Sequence, residues 1–250
     1  MDFGIDGFGV IVTGASRGLG AAITRALVAE GANVVAAARS LDALTGLAAE
    51  APEKISPLSC DMRDKSEVAA LVGTCIDRFG RLDAVVNNAG IAPVGKLVDT
   101  DLSVMEETMA VNVIAPAVLS KSAAQRWIAS EKPGSVINVA STAGLNGKAL
   151  LSGYSASKGA VVRLTEALAA EWARYGIRVN TIAPGAFETD AQANVINNPE
   201  SLAARLQKIP ARRMGAPHEI GPLAVYLVSP LSDFVTAACF VIDGGEVAKL

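Results

Sequence analysis

The sequence predicts an α/β fold: a parallel sheet covered by helices on both faces, in one domain spanning residues 1–250. Three observations carry the prediction. Short β-branched runs alternate with helix-patterned segments along the chain. A glycine-rich turn joins the first run to the first helical segment. The 250 residues suffice for one sizeable core, with no linker-like composition shift and no repeat at a fixed period.

Taken in order, strands are expected at Val10–Thr13, Asn33–Ala37, Ile55–Cys60, Ala84–Asn87, Ser135–Val139, Arg178–Ile182 and Cys239–Ile242. The clearest helix is Glu67–Phe79, where Val68, Leu71, Val72, Cys75, Ile76 and Phe79 recur at helical spacing and Asp64 stands ahead as a cap. Crossovers between parallel strands should be right-handed. After Ile182 the pattern breaks. Residues 183–220 hold four prolines and no strand signal, as a binding loop or lid would. A substrate loop is therefore expected at about 184–216.

Composition excludes several classes. The chain is 51% hydrophobic and 19% charged, with a net charge of -3 and no basic block, so nucleic acid is not expected as a partner. The first residues carry two aspartates and no basic residue, unlike a signal peptide. No apolar stretch is expected to reach the ~18 residues of a membrane span. Cys60, Cys75 and Cys239 show no metal spacing and are expected as reduced core thiols. His218 cannot build a zinc site alone, so no metal is expected. A cytoplasmic protein is the default reading.

The stretch "VIVTGASRGLGAAITRALVAEG" runs from strand to helix with glycines at Gly14, Gly18 and Gly20. Glycine permits a tight turn and lets backbone approach a pyrophosphate seated at a helix N-terminus. Ser16, Arg17 and Leu19 lie in the same turn and join the expected cofactor contacts. A glycine-rich loop without a ligand is the plain alternative. An acidic residue after the second strand would bind the ribose of NAD. Here Arg39 and Ser40 stand instead. With Arg17, Arg39 can fork onto a 2′-phosphate, which favours NADP(H) and leaves NAD(H) open. Two solvated surface arginines are the other reading. Asp61 can accept from the adenine amino group, with Met62 lining the ring. Asn88, Ala89 and Gly90, in "NNAG", close the fourth strand where backbone must pass near the cofactor.

Tyr154 and Lys158 are four residues apart, about 6 Å along a helix axis and on one face. An unperturbed tyrosine, with a pKa of about 10, is a poor base near neutrality. A nearby ammonium lowers that value, so the pair suits proton transfer at an alcohol oxygen. Ser141, after the fifth strand, can hold a substrate carbonyl towards Tyr154. Asn112 is an amide in an apolar helical stretch and needs a partner if buried. A water bridging it to Lys158 would supply one. Taken singly, each residue also has an ordinary structural role, such as a turn cap or a backbone hydrogen bond.

Together these motifs resemble the short-chain dehydrogenase/reductase family, in its compact branch. The match spans essentially the whole chain: "TGASRGLG" at Thr13–Gly20, Asp61, "NNAG" at Asn87–Gly90, Asn112, Ser141, "YSASK" at Tyr154–Lys158 and "PGAFET" at Pro184–Thr189. Phe8 stands where relatives often carry a lysine. The resemblance implies a Rossmann-like doubly wound parallel sheet of seven strands in the order 3-2-1-4-5-6-7. It implies a tetrad of Asn112, Ser141, Tyr154 and Lys158, with Lys158 also on the nicotinamide ribose. Thr189 would hold the carboxamide, and Pro184, Gly185 and Phe187 would stand beside it. Members are commonly homotetramers. The expected activity is hydride transfer between NADP(H) and a carbonyl or secondary alcohol. A 3-oxoacyl-carrier-protein reductase and a non-catalytic NADP(H)-binding sensor are the alternatives. The two loops expected to line the pocket offer Leu145, Leu150, Leu151, Phe187, Val195 and Ile196, with Asn146 and Gln192 as polar contacts, which describes a mostly apolar pocket with a few polar anchors for a small molecule.

Overall fold

The computed structural model describes residues 2–248. Among them, the strands β1 (Gly9–Thr13), β2 (Asn33–Ala38), β3 (Ile55–Ser59), β4 (Ala84–Asn87), β5 (Gly134–Val139), β6 (Ile177–Pro184) and β7 (Cys239–Ile242) form one sheet. Its order is β3-β2-β1-β4-β5-β6-β7, with every pairing parallel. The helices are α1 (Gly18–Ala29), α2 (Leu41–Ala48), α3 (Lys65–Phe79), α4 (Leu102–Met109), α5 (Ala115–Ala129), α6 (Thr142–Leu145), α7 (Ser152–Trp172), α8 (Ala193–Ile196), α9 (Pro199–Gln207) and α10 (Gly221–Val228). The strand boundaries fall within one or two residues of the sequence reading. β6 runs on to Pro184, and Cys60 falls just beyond β3. Helix α3 is capped as expected: Asp64 accepts from the backbone of Ser66 and Glu67, at 2.8 and 3.2 Å.

Both faces of the sheet are covered, which is why the inner strands are apolar on both sides. Alternate residues feed two separate cores. Val10, Val12, Val34 and Ala36 meet Ile23 and Leu27 of α1 and Leu227 of α10. Ile11, Val35 and Val85 meet Leu71 of α3, Leu119 of α5 and Trp172 of α7. A buried polar chain then crosses the sheet. Asn87 Nδ2 donates to Ser120 Oγ (3.0 Å) and to Asn138 Oδ1 (2.8 Å). Asn138 Nδ2 donates to Thr165 Oγ1 (2.9 Å), which also receives Thr181 Oγ1 (2.8 Å). This chain ties β4, β5 and β6 to α5 and α7, and so fixes the helix that carries Tyr154. Buried polar groups specify a position when each has its partner, and no buried side-chain nitrogen or oxygen among the described residues lacks one.

Two expectations need correction. α4, a π-helical turn (Ala110–Ile114) and α5 form one run of 28 residues, Leu102–Ala129, long and apolar enough to span a membrane by length and composition, with a mean hydropathy of 1.4 over its most apolar 18 residues. Ala115, Leu119, Ala123 and Trp127 of that run are buried in the second core. A helix laid on a fully covered sheet is apolar for reasons of packing. Cys60 and Cys75 are core thiols, and burial pushes them up to about 11 and about 12. Cys239 is exposed on the edge strand β7, where one flank of the sheet has no neighbour.

Candidate active site

The strands point the same way, so the turns at their C-terminal ends gather along one edge. β1 and β4 are neighbours there, at the point where the strand order reverses, the crevice in which open parallel sheets hold ligands. Gly14 has φ +65°, and a Cβ on it would lie 2.8 Å from Ala89 Cα and 2.9 Å from Asn88 Nδ2. Gly20 is equally close-packed, since its Cβ would fall 2.5 Å from the same amide. Asn88 Nδ2 donates to Thr13 O (2.9 Å) and Gly14 O (3.2 Å), while Thr13 Oγ1 accepts from the backbone of Asn88 and Ala89, both at 3.1 Å. The Asn88 amide group therefore holds the turn together, a role that sequence spacing did not show. Gly18 opens α1, with Ser16 and Leu19 half-buried beside it. Thr189 closes over this turn: a Cβ on Gly18 would meet Thr189 Cγ2 at 3.4 Å. A cleft of ≈540 Å³ runs beneath, between Ala22 and Ala26 of α1 and the loops carrying Thr189, Pro217 and His218. It does not reach Ser141 or Tyr154.

Arg17, Arg39 and Ser40 are exposed at the mouth of the turn. The Asp61 carboxylate, expected to accept from adenine, has a neighbouring partner in the structure. Arg63, which the sequence reading passed over, donates to both its oxygens (Nε at 3.0 Å, Nη2 at 2.5 Å), and the Arg63 backbone adds a third bond at 3.0 Å. These bonds, with the Arg39 charge further off, hold Asp61 down at about 2. Met62 is buried beside it.

Tyr154 and Lys158 share one face of α7, with the ammonium 5.9 Å from the centre of the phenol ring. Lys158 is buried and donates to Val139 O at 2.8 Å, and burial pushes it down to about 8. The sequence predicts that Lys158 lowers the phenol. In this structure burial dominates and raises Tyr154, and the hydrogen bond with Ser141 is the opposing pull. Ser141 caps α6, accepting from Ala143 N at 3.1 Å. Its distance from α7 is fixed by Gly144, whose Cβ would lie 2.5 Å from the Lys158 carbonyl carbon.

Asn112 sits in the π-helical turn and is fully buried. Protein groups partner its amide: Nδ2 donates to Ile91 O (2.9 Å) and Ser157 Oγ (3.0 Å), and Oδ1 accepts from Ile91 N (2.9 Å). Asn112 Oδ1 and Lys158 Nζ nonetheless flank one gap, lying 3.2 and 3.4 Å from the point a Cβ on Gly90 would occupy. Among the apolar candidates, Leu145 and Leu151 are half-buried and Leu150 is exposed, with φ 67°. Phe187 is 4% exposed: it packs on the first core and against Gly215, and lines a small pocket with Ala211 and Gly244. Val195 and Ile196 lie in α8 beyond it, while Pro184 ends β6 and Gly185 follows, its N donating to Ile242 O at 3.0 Å.

Gly14 and Gly20 let this turn pack tightly against Asn88 and Ala89, Gly18 opens the helix beneath Thr189, and Arg17 and Arg39 stand exposed at the rim. That fits a dinucleotide with a charged tail. A family model described as enoyl-(acyl carrier protein) reductase matches residues 14–246. The chain is 36% identical over 246 residues to 2,5-dichloro-2,5-cyclohexadiene-1,4-diol dehydrogenase of Sphingobium indicum, covering 98% of both chains. It is 33% identical to sorbitol dehydrogenase of Cereibacter sphaeroides, covering 97% of this chain and 98% of that one. A crystal structure of a candidate 2-deoxy-D-gluconate 3-dehydrogenase from Agrobacterium tumefaciens, with bound NADP, superposes with a TM-score of 0.91 at 36% identity over 99% of both chains. With a shared strand order and matches over nearly its whole length, the chain belongs to the short-chain dehydrogenase/reductase family.

Proposed function

We propose that this protein is an NADP(H)-dependent carbonyl reductase or alcohol dehydrogenase, acting as one domain with its substrate loop at about 184–216. The observation that carries the reading is the shared face of α7, where the buried Lys158 ammonium lies 5.9 Å from the centre of the Tyr154 ring, with Ser141 capping the neighbouring α6. Bound cofactor supplies or accepts the hydride. Ser141 holds the carbonyl oxygen, and Tyr154 gives that oxygen its proton as negative charge develops there. The raised phenol keeps its proton until then, which suits the acid role in reduction. Lys158, with Asn112 across the Gly90 gap, sets the field around the phenol and grips the ribose. Gly14, Ser16, Gly18, Leu19 and Gly20 receive the pyrophosphate, Thr189 the carboxamide, and Arg17, Arg39 and Ser40 the 2′-phosphate. Arg17 and Arg39 support NADP(H) over NAD(H) because both stand exposed at the rim of the turn, where Arg39 and Ser40 rather than a carboxylate follow β2.

The chemistry is tested with Tyr154→Phe. Turnover should fall by about 10²–10⁴-fold, while NADPH binding, read by fluorescence titration, stays within a factor of two or so of the parent. Full activity in that variant overturns the assignment. A second reading, a 3-oxoacyl-carrier-protein reductase, draws support from the description of the matching family model. A panel of ketones, sugar acids and 3-oxoacyl thioesters, followed at the nicotinamide absorbance, separates the two. If no carbonyl compound drives NADPH consumption, the non-catalytic sensor stands instead. We also propose a cytoplasmic homotetramer. Apolar side chains left exposed at the β7 edge, Phe234 and Val241, support assembly there, and sedimentation velocity checks it.

A further inference from the structure

The substrate loop is thinly attached to the rest of the fold. Neither α8 nor α9 contains a buried residue. Ile196, Leu202 and Leu206 pack only on a satellite cluster of Ala186, Ile209 and Met214, apart from both main cores. Short helices with so little apolar contact open easily. A second attachment is ionic. Arg205 of α9 forks onto Glu246 in the turn after β7, with Nη1 to Oε1 at 2.6 Å and Nη2 to Oε2 at 2.7 Å. The two side chains are only 19% and 14% exposed. Lys148 joins the same carboxylate at 3.5 Å, and its ammonium also reaches Thr142 Oγ1 at 3.4 Å. Lys148 N donates to Ser155 Oγ at 3.2 Å. Thr142 follows Ser141, and Ser155 follows Tyr154.

One carboxylate thus joins the lid helix to the segment between the two reacting side chains. Its own place is set by a tied turn. Asp243 accepts from the backbone of Gly245 (2.8 Å) and Val247 (2.7 Å), and Ala211, at the end of the lid, donates to Gly244 O at 3.0 Å. We propose that Glu246 is a positioning residue: a latch that holds α9 against the Lys148 loop and so sets the closed fraction of the substrate lid. The proposal rests on reading Ser141 and Tyr154 as the reacting centre. Without the carboxylate, Arg205 and Lys148 are left as two like charges in a half-buried space, and the lid is driven open. Apparent substrate affinity falls in proportion to the closed fraction. Turnover from the closed complex is preserved, because Glu246 touches none of the reacting groups.

The test is Glu246→Gln, which keeps shape and removes charge. Two readouts are taken. The first is the KM for the best carbonyl substrate, expected to rise about 10–100-fold, as for a lost charge-assisted fork, with kcat changed by less than about threefold. The second is tryptic cleavage within the lid, at Arg205, Lys208, Arg212 or Arg213, expected about tenfold faster in the variant. Adding Arg205→Gln to Glu246→Gln should raise KM no further, because the two residues act as one unit. Unchanged KM and unchanged cleavage overturn the proposal, as does an additive double variant. If Glu246→Gln fails to fold, Arg205→Gln is read by the same two measures. Cleavage needs no turnover, so the latch is tested even if a fully active Tyr154→Phe shows the reacting centre to be elsewhere.

Discussion

Gly144 is where packing sets the chemistry most directly. A methyl group there would sit 2.5 Å from the Lys158 carbonyl carbon and 2.7 Å from both Lys158 O and Gly159 N. Those neighbours are backbone in the middle of α7 and cannot swing aside. Ordinary carbon contacts begin near about 3.5 Å, so Gly144→Ala forces α6 and α7 apart by roughly 1 Å. Overpacking of this kind costs about 1–3 kcal/mol, a Tm loss of roughly 2–12 °C for a chain of this size. Ser141 opens α6 and Tyr154 rides on α7, so the same ångström enters between the two hydroxyls proposed to react. A displacement of that size costs about 10²-fold in rate. The assay is kcat/KM together with a thermal melt, with Gly147→Ala as the control, because a Cβ on Gly147 meets nothing within 4 Å. A Gly144→Ala protein with kcat/KM within about twofold of the parent and an unchanged Tm would falsify the reasoning.

Three further outcomes are expected. Asn138→Ala strips the hydrogen-bond partner from Asn87 and Thr165 inside the sheet, and should cost about 2–4 kcal/mol in urea unfolding; a loss below about 1 kcal/mol means that the polar chain does not fix the core. Lys158 is pushed down from 10.5 to about 8 by burial. Between those values the unfolded chain binds the extra proton, so folding stability should rise with pH across that window, by up to about 1.4 kcal/mol per pH unit. Lys158→Met should lack that rise, and equal slopes in the two proteins would show that the ammonium is not strained by burial. Arg39→Asp should move the ratio of kcat/KM values from NADP(H) towards NAD(H) by about tenfold or more; an unmoved ratio makes Arg39 a solvated surface residue.

The sheet and the glycine turn were legible because neighbours along the chain decide them. The β-branched run Val10–Thr13, the helical period of Val68–Cys75 and the cap at Asp64 are all local, and each survives in the structure within a residue or two. The helix pair Tyr154–Lys158 was legible for the same reason. What the sequence reading left out are the partners and the burial of those residues. Arg63, two residues on, forks onto the Asp61 carboxylate. Phe187 packs beneath the return of the chain at Gly215. The phenol looked set to be lowered by Lys158 until burial turned its direction.

The sequence by itself determined the order of strands and helices, the glycine turn and the place of Tyr154 and Lys158 on one helix face, because backbone preference and hydrophobic period are written within a few residues. Only the tertiary structure decided which partners those residues take. Asn112 reaches Ile91 and Ser157, Lys158 reaches Val139, and Arg205 reaches Glu246. Such pairs depend on which segments the sheet brings side by side. Burial then sets their charge, because a desolvated group keeps only the state that its neighbours can stabilise.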